Sequence, residues 1–288
     1  MHRKCVEYLK KYPSQQGKKI LITGSSSGIG LEAAKEFCYL DAEVYFMVRN
    51  EEKAKKCIAD IEEELGRKVN AQIILYDQSD PDSITKAIEG IKVDHFDVIV
   101  LNAGIYFPKV GATACNHPLT LQTNALGTHL CFDCFFRRYK DARYVFMTSI
   151  VLASPKNNDY MPYFEPTYEH RWKQYGLSKK IVKHIFQTAL DQGANAYLTH
   201  PGVAKTNILH DTAPGLKRAG QAFLTMFTHP AWKAALGILE ASLADAPKGT
   251  FFGPRGVGQI SGYPKQVKYK PNEKETKAWL EAFRLLCE

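Results

Sequence analysis

The amino-acid sequence predicts an α/β fold with a single Rossmann-type doubly wound parallel sheet and helices on both of its faces. Short apolar segments alternate with amphipathic helical segments over the first two hundred residues. The apolar segments show little of the polar alternation of a half-exposed strand, which is typical of parallel strands buried on both faces. The first of them ends in a glycine-rich turn that opens a helix, and right-handed crossovers then wind the chain along one sheet.

Each element has its own local pattern. The predicted strands cover residues 19–23, 44–48, 71–76, 96–101, 144–148, 196–199 and 250–252. The predicted helices cover residues 28–40, 51–65, 80–91, 119–139 and 172–191. Gly66 ends the second of these helices, and Pro81 occupies the first turn of the third.

No linker or internal repeat divides the chain, so we expect one domain over residues 1–288. Residues 1–18 are an N-terminal extension, residues 203–247 have a helical pattern, and residues 253–288 form a C-terminal tail. A hydrophobic content of 45% and a charged content of 24% are typical of a globular protein with a substantial core.

The net charge is +8, and basic residues cluster near both ends. They are Arg3, Lys4, Lys10, Lys11, Lys18 and Lys19, then Lys265, Lys268, Lys270, Lys274 and Lys277. They could attract an anionic ligand or a membrane surface. We favour an ordinary solvated surface, because Glu273 and Glu275 interrupt the second cluster. No zinc finger or RNA-binding motif occurs, so we expect no nucleic-acid partner.

The seven cysteines are irregularly spaced and odd in number, which favours reduced thiols and a cytoplasmic location. The first 16 residues lack the apolar core of a signal peptide, and no apolar run has the length of a transmembrane segment. The histidines have no metal-ligand spacing, so we expect no metal site. We interpret the Cys131–Cys134 pair as helix packing.

The glycine-rich turn is the first candidate binding site. Its residues are Gly24, Ser25, Ser26, Ser27, Gly28, Ile29 and Gly30. Glycines here allow a tight turn and a close backbone approach to a pyrophosphate, while the following helix points its first amides at that anion. The spacing G-x-x-x-G-x-G is one residue longer than the usual dinucleotide fingerprint.

Arg49 at the end of the second strand bears on the choice of cofactor. An acidic residue at this position would bind a ribose 2′-hydroxyl, whereas a basic one accommodates a 2′-phosphate. We therefore favour NADP(H) over NAD(H). The alternative is a surface arginine paired with Glu51 or Glu52.

Tyr175 and Lys179 form the candidate catalytic pair. Residues at positions i and i+4 share one face of a helix, so the two side chains can act together. An unperturbed phenol has a pKa of about 10, which is too high for acid–base work near neutrality. A nearby ammonium group lowers the pKa of a phenol.

With this pair in place, the chain resembles the short-chain dehydrogenase/reductase family over about residues 19–207. Seven motifs occur in the family's order. They are the glycine loop of residues 23–30, Asp77 with Gln78 beside it, Asn102-Ala103-Gly104, Asn124, Ser149, Tyr175 with Lys179, and Pro201-Gly202 with Thr206. The resemblance implies hydride transfer between a nicotinamide and a small-molecule carbonyl or alcohol substrate.

The resemblance also implies a role for each residue. Tyr175 is the general acid/base, and Ser149 holds the reacting oxygen. Lys179 lowers the pKa of Tyr175 and binds the ribose hydroxyls. Asn124 positions a water that connects Lys179 to solvent for proton transfer. Asp77 contacts the adenine, and residues 201–206 contact the nicotinamide end.

The gap of 26 residues between Ser149 and Tyr175 is similar to that of the retinol-dehydrogenase-like and WW-domain-oxidoreductase-like branch. The inserted stretch is rich in aromatic residues, which either line an apolar substrate pocket or pack the loop onto its own domain. By analogy with the family, residues 207–235 form another pocket wall or a lid. Self-association as a homodimer or homotetramer would use helices 117–139 and 172–191.

Three alternatives stay open. A nucleotide-binding regulator without activity could use the same fold, because a fold does not fix a function. A sugar-nucleotide epimerase or dehydratase shares the Tyr–Lys pair, but it usually has a different glycine loop and a larger substrate domain. A membrane-surface protein could use the basic ends.

Overall fold

The computed structural model describes residues 1–106, 112–168, 170–205 and 229–287. The described residues form one eight-stranded sheet. Its neighbouring strands are parallel except for Phe251–Pro254 and Pro264–Val267, which pair antiparallel. This is the doubly wound α/β fold that the sequence predicts.

The strands of the sheet are β1 (Lys19–Thr23), β2 (Glu43–Val48), β3 (Ala71–Leu75), β4 (Val98–Leu101), β5 (Arg143–Met147), β6 (Asn195–Thr199), β9 (Phe251–Pro254) and β10 (Pro264–Val267). Their order across the sheet is β10-β9-β6-β5-β4-β1-β2-β3. A separate two-stranded pair consists of β7 (Ala204–Lys205) and β8 (His229–Pro230). The central strands are buried along nearly their whole length. In β4 every residue is buried, and in β1 and β5 only the first residue is partly exposed. This burial explains their continuous apolar sequence.

The helices are α1 (Arg3–Leu9), α2 (Gly28–Tyr39), α3 (Glu51–Leu65), α4 (Pro81–Glu89), α5 (Leu119–Leu121), α6 (Gly127–Arg138), α7 (Arg171–Asp191), α8 (Ala231–Leu243) and α9 (Glu273–Cys287). Local sequence fixes several of their ends. The Asn50 side chain accepts a hydrogen bond from the Lys53 amide at the start of α3, and Gly66 ends this helix with a φ of 67°.

Two apolar layers cover the two faces of the sheet. One layer contains buried residues of α1, α2, α3 and α8. The other contains buried residues of α4, α6, α7 and α9, together with aromatic residues of the stretch between β5 and α7. The two layers leave the carboxyl ends of the parallel strands along one edge, where the loops gather.

The predicted helix 119–139 is interrupted. A π-helical segment, Gln122–Leu126, separates α5 from α6 and places Asn124 fully inside the protein. A β-carbon on Gly127, just after this segment, would collide with the carbonyl oxygen of Gln78. At this irregular turn the helix therefore lies close to the loop after β3. Hydrophobic periodicity alone does not predict such a turn.

The less regular regions also contain defined elements. The N-terminal extension holds α1, and the C-terminal tail holds β10 and α9. Within the predicted helical region 203–247, residues 204–205 and 229–230 form strands and α8 is helical. Residues 206–228, which include most of the expected pocket wall or lid, lie outside the described residues.

The aromatic stretch between β5 and α7 packs mostly inward. Tyr160, Tyr163 and Phe164 are buried, and the rings of Tyr160 and Phe164 lie 5.6 Å and 6.1 Å from the ring of Trp279 on α9. Packing onto the domain is thus the role of these three residues. Trp172, by contrast, is 55% exposed.

The C-terminal helix α9 packs across two other helices. On α6, His129 stacks on Phe283 of α9 at 3.7 Å between ring centroids. On α7, His184 bonds the Thr276 hydroxyl at 2.9 Å, and Lys180 lies 3.1 Å from the Glu275 carboxylate. Part of the surface on which the resemblance implies self-association is therefore occupied by the chain's own helix.

We expect Trp279→Ala to lower the free energy of unfolding by about 3–5 kcal/mol, because the ring is fully buried and its removal leaves a cavity. Chemical denaturation monitored by circular dichroism measures the loss. The matched control is Trp172→Ala, which should change the free energy of unfolding by less than about 1 kcal/mol. Equal losses in the two variants would contradict the docking of α9 described above.

Candidate active site

The candidate site residues come together where β1, β4, β5 and β6 end. Parallel strands bring their carboxyl ends to one edge, and ligands of doubly wound folds bind there. The glycine-rich turn follows β1, residues 102–106 follow β4, Ser149 follows β5, and Pro201 follows β6. The arrangement depends on strand order, since β4 lies directly between β1 and β5.

The glycine-rich turn lies against the loop after β4. Gly24 has a φ of 70°, and a β-carbon there would lie 2.9 Å from the Cα atom of Ala103. A β-carbon on Gly30 would lie 2.5 Å from the side-chain nitrogen of Asn102. Both glycines are required by close packing of one loop on the other.

Thr23 joins the two loops chemically. Its hydroxyl accepts the backbone N–H groups of Asn102 at 2.9 Å and of Ala103 at 3.0 Å, and it donates to the carbonyl of Val100 at 3.2 Å. The Asn102 side chain donates to the Thr23 carbonyl at 2.9 Å. Thr23 belongs to the glycine-loop motif of residues 23–30, but sequence reasoning missed its role in joining the two loops, which only its position as the last residue of β1 indicated.

The turn also has the features of an anion cradle. Gly28 has a φ of 57°, and the N-cap residue Ser27 makes no side-chain capping bond to α2, so the first amides of the helix stay available. The buried Ser25 hydroxyl has no hydrogen-bond partner among the described residues. Ser26 is half-buried, and Ile29, in the first turn of α2, packs against the apolar layer on that face of the sheet. These residues fit the pyrophosphate of a dinucleotide.

Arg49 and Asp77 meet at the ends of β2 and β3. The Arg49 guanidinium lies 3.7 Å from the Asp77 carboxylate, and the arginine side chain is 76% exposed. The carboxylates of Glu51 and Glu52 lie instead 3.0 Å from Lys55. Arg49 is therefore not held by those two glutamates and can turn toward a ligand phosphate.

Gln78 is buried inside the protein. Its amide nitrogen donates to the carbonyls of Ala103 and Thr123 and to the hydroxyl of Thr128, at 2.8–3.2 Å. The Tyr76 hydroxyl donates to the Gln78 side-chain oxygen at 2.7 Å. Gln78 thus ties the loop after β3 to the loop after β4 and to the π-helical segment.

Asn124 and Lys179 approach the same glycine. Asn124 bonds the backbone of Ile105 twice, accepting its N–H at 2.8 Å and donating to its carbonyl at 2.9 Å. A β-carbon on Gly104 would lie 3.2 Å from both the Asn124 oxygen and the Lys179 Nζ. Lys179 is buried and donates to the Met147 carbonyl at 3.3 Å, and burial lowers its pKa to about 8.

Tyr175 and Ser149 face each other across the end of β5. Burial raises the pKa of the Tyr175 phenol, and a hydrogen bond with Ser149 acts against this effect. The Ser149 hydroxyl also accepts the Val151 amide at 3.0 Å. The structure therefore places the expected acid/base beside the expected oxyanion donor, while the influence of Lys179 on the Tyr175 pKa stays a prediction.

Tyr106 covers Tyr175, the expected acid/base. Its ring meets the Tyr175 ring edge-on at 4.5 Å between centroids, and Trp172 lies 5.9 Å from Tyr106 in the same manner. Burial and the neighbouring Tyr175 raise the pKa of Tyr106 to about 12. Sequence reasoning missed Tyr106, because only its place two residues after Asn102-Ala103-Gly104 indicated it.

The loop after β6 is held by two histidines. His229 bonds the Pro201 carbonyl at 2.6 Å, and the Gly202 amide donates to His200 at 3.2 Å. Gly202 has a φ of 69°, and a β-carbon there would collide with the carbonyl of Ile260. Thr206, the last expected contact of this loop, lies outside the described residues.

The described part of the chain contains no group of three or more His, Cys, Asp or Glu residues that could hold a metal ion. None of its helices combines the length and apolar character needed to cross a membrane.

This sequence is similar to those of known oxidoreductases. The sequence model of the short chain dehydrogenase family matches residues 18–216. An uncharacterized oxidoreductase of Schizosaccharomyces pombe is 30% identical over 68% of this chain and 63% of its own length. Human retinol dehydrogenase 11 is 24% identical over 68% of this chain and 64% of its own length. The chain thus spans less than two thirds of each of these relatives.

The fold was compared with solved structures. A protein from Mycobacterium paratuberculosis superimposes with a TM-score of 0.76 at 21% identity and covers 96% of both chains. A short chain dehydrogenase from Burkholderia cenocepacia, solved in complex with NADP, has a TM-score of 0.59 at 24% identity over 82% of this chain and 93% of its own. Both comparisons establish the likeness of fold.

We expect Lys179→Met to stabilise the unliganded chain at pH 7, because it removes an ammonium from a buried site. Burial moves the Lys179 pKa from 10.5 to about 8, which corresponds to a cost on the order of 3 kcal/mol. The unfolded chain binds this proton more tightly, so the cost is complete below about pH 8 and disappears as the pH rises toward 10.5.

Thermal denaturation from pH 7 to pH 10 measures the increase in stability of Lys179→Met over the unaltered chain. This increase should become smaller as the pH rises. The exposed Lys140→Met variant is the control and should show no such pH dependence. A lower melting temperature for Lys179→Met than for the unaltered chain at pH 7 would contradict the prediction. It would show that contacts in the folded chain offset the cost of burying the ammonium.

Proposed function

The chain belongs to the short chain dehydrogenase family, in its retinol-dehydrogenase-like branch, and from this we propose that it is an NADP(H)-dependent oxidoreductase of carbonyl and alcohol substrates. The observation that carries the proposal is the meeting of Ser149 and Tyr175 at the end of β5, with Lys179 buried beside them. These groups lie at the sheet edge that also holds the glycine-rich turn.

Tyr175 is the proton carrier of the proposed reaction. Its phenol is neutral at physiological pH, because burial raises its pKa, so its hydroxyl can donate a proton to a substrate carbonyl oxygen. In the opposite direction the same oxygen accepts the proton of an alcohol. Ser149 hydrogen-bonds the reacting oxygen and stabilises its developing negative charge.

Lys179 supports the proton transfer. With a pKa of about 8 its ammonium is charged at neutral pH, and its field favours the phenolate of Tyr175. Asn124 fixes the backbone of Ile105 next to Lys179 and so keeps Gly104 close to the ammonium. Asn124 thereby shapes the path by which a water could return a proton to Lys179.

The cofactor would be held by the glycine-rich turn, Arg49, Asp77 and the loop at Asn102. When bound, its nicotinamide supplies or accepts the hydride. Arg49 supports NADP(H) over NAD(H), because its exposed guanidinium can form a forked contact with a 2′-phosphate. The Burkholderia cenocepacia relative, which was solved with NADP, is consistent with this choice.

The surroundings of Tyr175 favour an apolar substrate. Val151 and Leu152 on the loop after Ser149 are 37% and 38% exposed, and Trp172 on α7 is also exposed. Exposed apolar side chains beside a catalytic group are typical of a pocket for a hydrophobic molecule. The retinol dehydrogenase relatives agree with such a substrate. The seven free thiols favour action in the reducing cytoplasm.

We expect Tyr175→Phe to lower kcat for aldehyde or ketone reduction by at least about 100-fold, because the ring stays but the transferable proton is lost. Loss of NADPH absorbance over a panel of apolar carbonyl compounds measures turnover. The control is NADPH binding, followed by thermal shift, which should be unchanged. Binding by the unaltered chain without turnover on any panel member would favour a regulatory role instead.

We expect Arg49→Ala to weaken NADPH binding about tenfold and to leave NADH binding unchanged, because only NADPH carries the 2′-phosphate. Titration calorimetry with each nucleotide measures the ratio. The matched control is Arg67→Ala, which removes a part-exposed arginine whose guanidinium contacts Asp41. A constant NADPH/NADH ratio in Arg49→Ala would make Arg49 a surface residue and remove the basis for NADP(H) preference.

A further inference from the structure

Among the basic residues of the first 19 positions, two have no ion-pair partner among the described residues. Its lysines contact carboxylates as follows: Lys10 with Glu7 at 2.7 Å, Lys18 with Asp97 at 2.9 Å, Lys19 with Asp94 at 3.1 Å, and Lys11 with Glu240. Arg3 and Lys4 form no ion pair with any described residue and are exposed. Most of the basic N-terminal charge is thus ordinary paired surface, with these two residues as the exception.

Two cations from distant parts of the sequence join them. Lys233 lies in the first turn of α8, and Arg255 directly follows β9. The Lys233 Nζ lies 4.8 Å and the Arg255 guanidinium 5.2 Å from the centre of the Tyr263 ring. Neither cation forms an ion pair within the described ranges, so both charges depend on solvent and on this aromatic ring.

These charges are close enough to repel one another. Burial lowers the pKa of Lys233 first, and the positive charges of Arg255 and Lys4 lower it further. Three separate segments, α1, α8 and the connection between β9 and β10, therefore bring like charges together. Such crowding is unfavourable in the unliganded chain and is relieved when an anion enters.

A cleft lies beside these cations. It has a volume of about 380 Å³ and is lined by Arg3, Lys4, Glu7, Tyr8 and Tyr263. Tyr8 and Tyr263 stack at 5.2 Å with nearly parallel rings, and Lys11 covers Tyr8 at 3.8 Å from its centre. The acid of the lining, Glu7, is engaged by Lys10. The walls are therefore largely aromatic, and the unpaired charge around them is positive.

We propose that this cationic cleft, which Arg3 and Lys4 line and which Lys233 and Arg255 border through their contacts with the Tyr263 ring, binds a phosphate-class oxyanion. A dianion matches several unpaired cations better than a single carboxylate does, and the planar guanidinium of arginine suits the forked geometry of phosphate oxygens. The volume of the cleft lies within the range of small-molecule sites.

The site is separate from the proposed cofactor site. None of the residues assigned to the cofactor lines the cleft. Arg3 and Lys4 lie on α1, which packs on the layer formed by α2 and α8. The cleft could take a free phosphorylated metabolite or the phosphate of a lipid headgroup, which share the recognised group.

The test uses inorganic pyrophosphate as the probe and the full chain saturated with NADPH, so that the nucleotide site is filled. Titration calorimetry should show that Lys4→Gln/Arg255→Gln weakens pyrophosphate binding about tenfold or more, because two charged contacts are lost. Both residues are exposed, so the fold should persist, as circular dichroism will show. The control is Lys277→Gln on α9, in the layer on the opposite face of the sheet, which should bind like the unaltered chain.

Vesicles distinguish the two sources of phosphate. Cosedimentation with phosphatidylcholine vesicles that contain phosphatidic acid, lost in Lys4→Gln/Arg255→Gln but kept in Lys277→Gln, would assign the cleft to a lipid headgroup. Pyrophosphate binding with no cosedimentation would assign it to a soluble ligand. Equal behaviour of the double variant and the unaltered chain toward both probes would overturn the proposal.

NADPH oxidation is measured in the same variants. Because the cleft lies apart from Tyr175, the turnover of the double variant should equal that of the unaltered chain. If the unaltered chain shows no turnover but still binds pyrophosphate through Lys4 and Arg255, the cleft proposal stands and the proposed oxidoreductase function fails. The two proposals therefore fail independently.

Discussion

The contact between the end of β1 and the loop after β4 is the constraint on which the site depends. One hydroxyl, that of Thr23, accepts two backbone N–H groups of the neighbouring loop and donates to a strand carbonyl. This contact is possible only because Gly24 and Gly30 lack side chains where the loops touch. The turn that would meet a pyrophosphate and the loop that borders Lys179 are thereby fixed relative to each other.

Buried amides extend this constraint to the catalytic side of the edge. The side chains of Gln78 and Asn124 form hydrogen bonds with the backbone of neighbouring loops. These bonds hold the loops together and also satisfy the two buried amides. Two of the expected ligand-binding groups are less well satisfied. The Ser25 hydroxyl has no partner in the described chain, and Lys179 has a single 3.3 Å bond and a lowered pKa. Unsatisfied polar groups at a preorganised edge are the ones that a ligand can satisfy.

The long stretch between Ser149 and Tyr175 shows where sequence reasoning stops. Its aromatic residues are equally compatible with a pocket wall and with a packed loop, because both environments favour large apolar rings. The structure divides them. Tyr160 and Phe164 pack on Trp279 of α9, more than a hundred residues later in the chain, whereas Trp172 stays exposed next to Tyr106.

The sequence by itself determined the parallel sheet, the order of its elements and the family, because periodicity, glycine turns and motif order are local properties of the chain. Only the tertiary structure decided that Tyr106 covers Tyr175, that the buried Gln78 joins separate loops, and that Lys4 and Arg255 lie close enough to lower the pKa of Lys233. These relations join residues from separate segments. Strand order and helix packing set their distances, and no local pattern encodes a distance between segments.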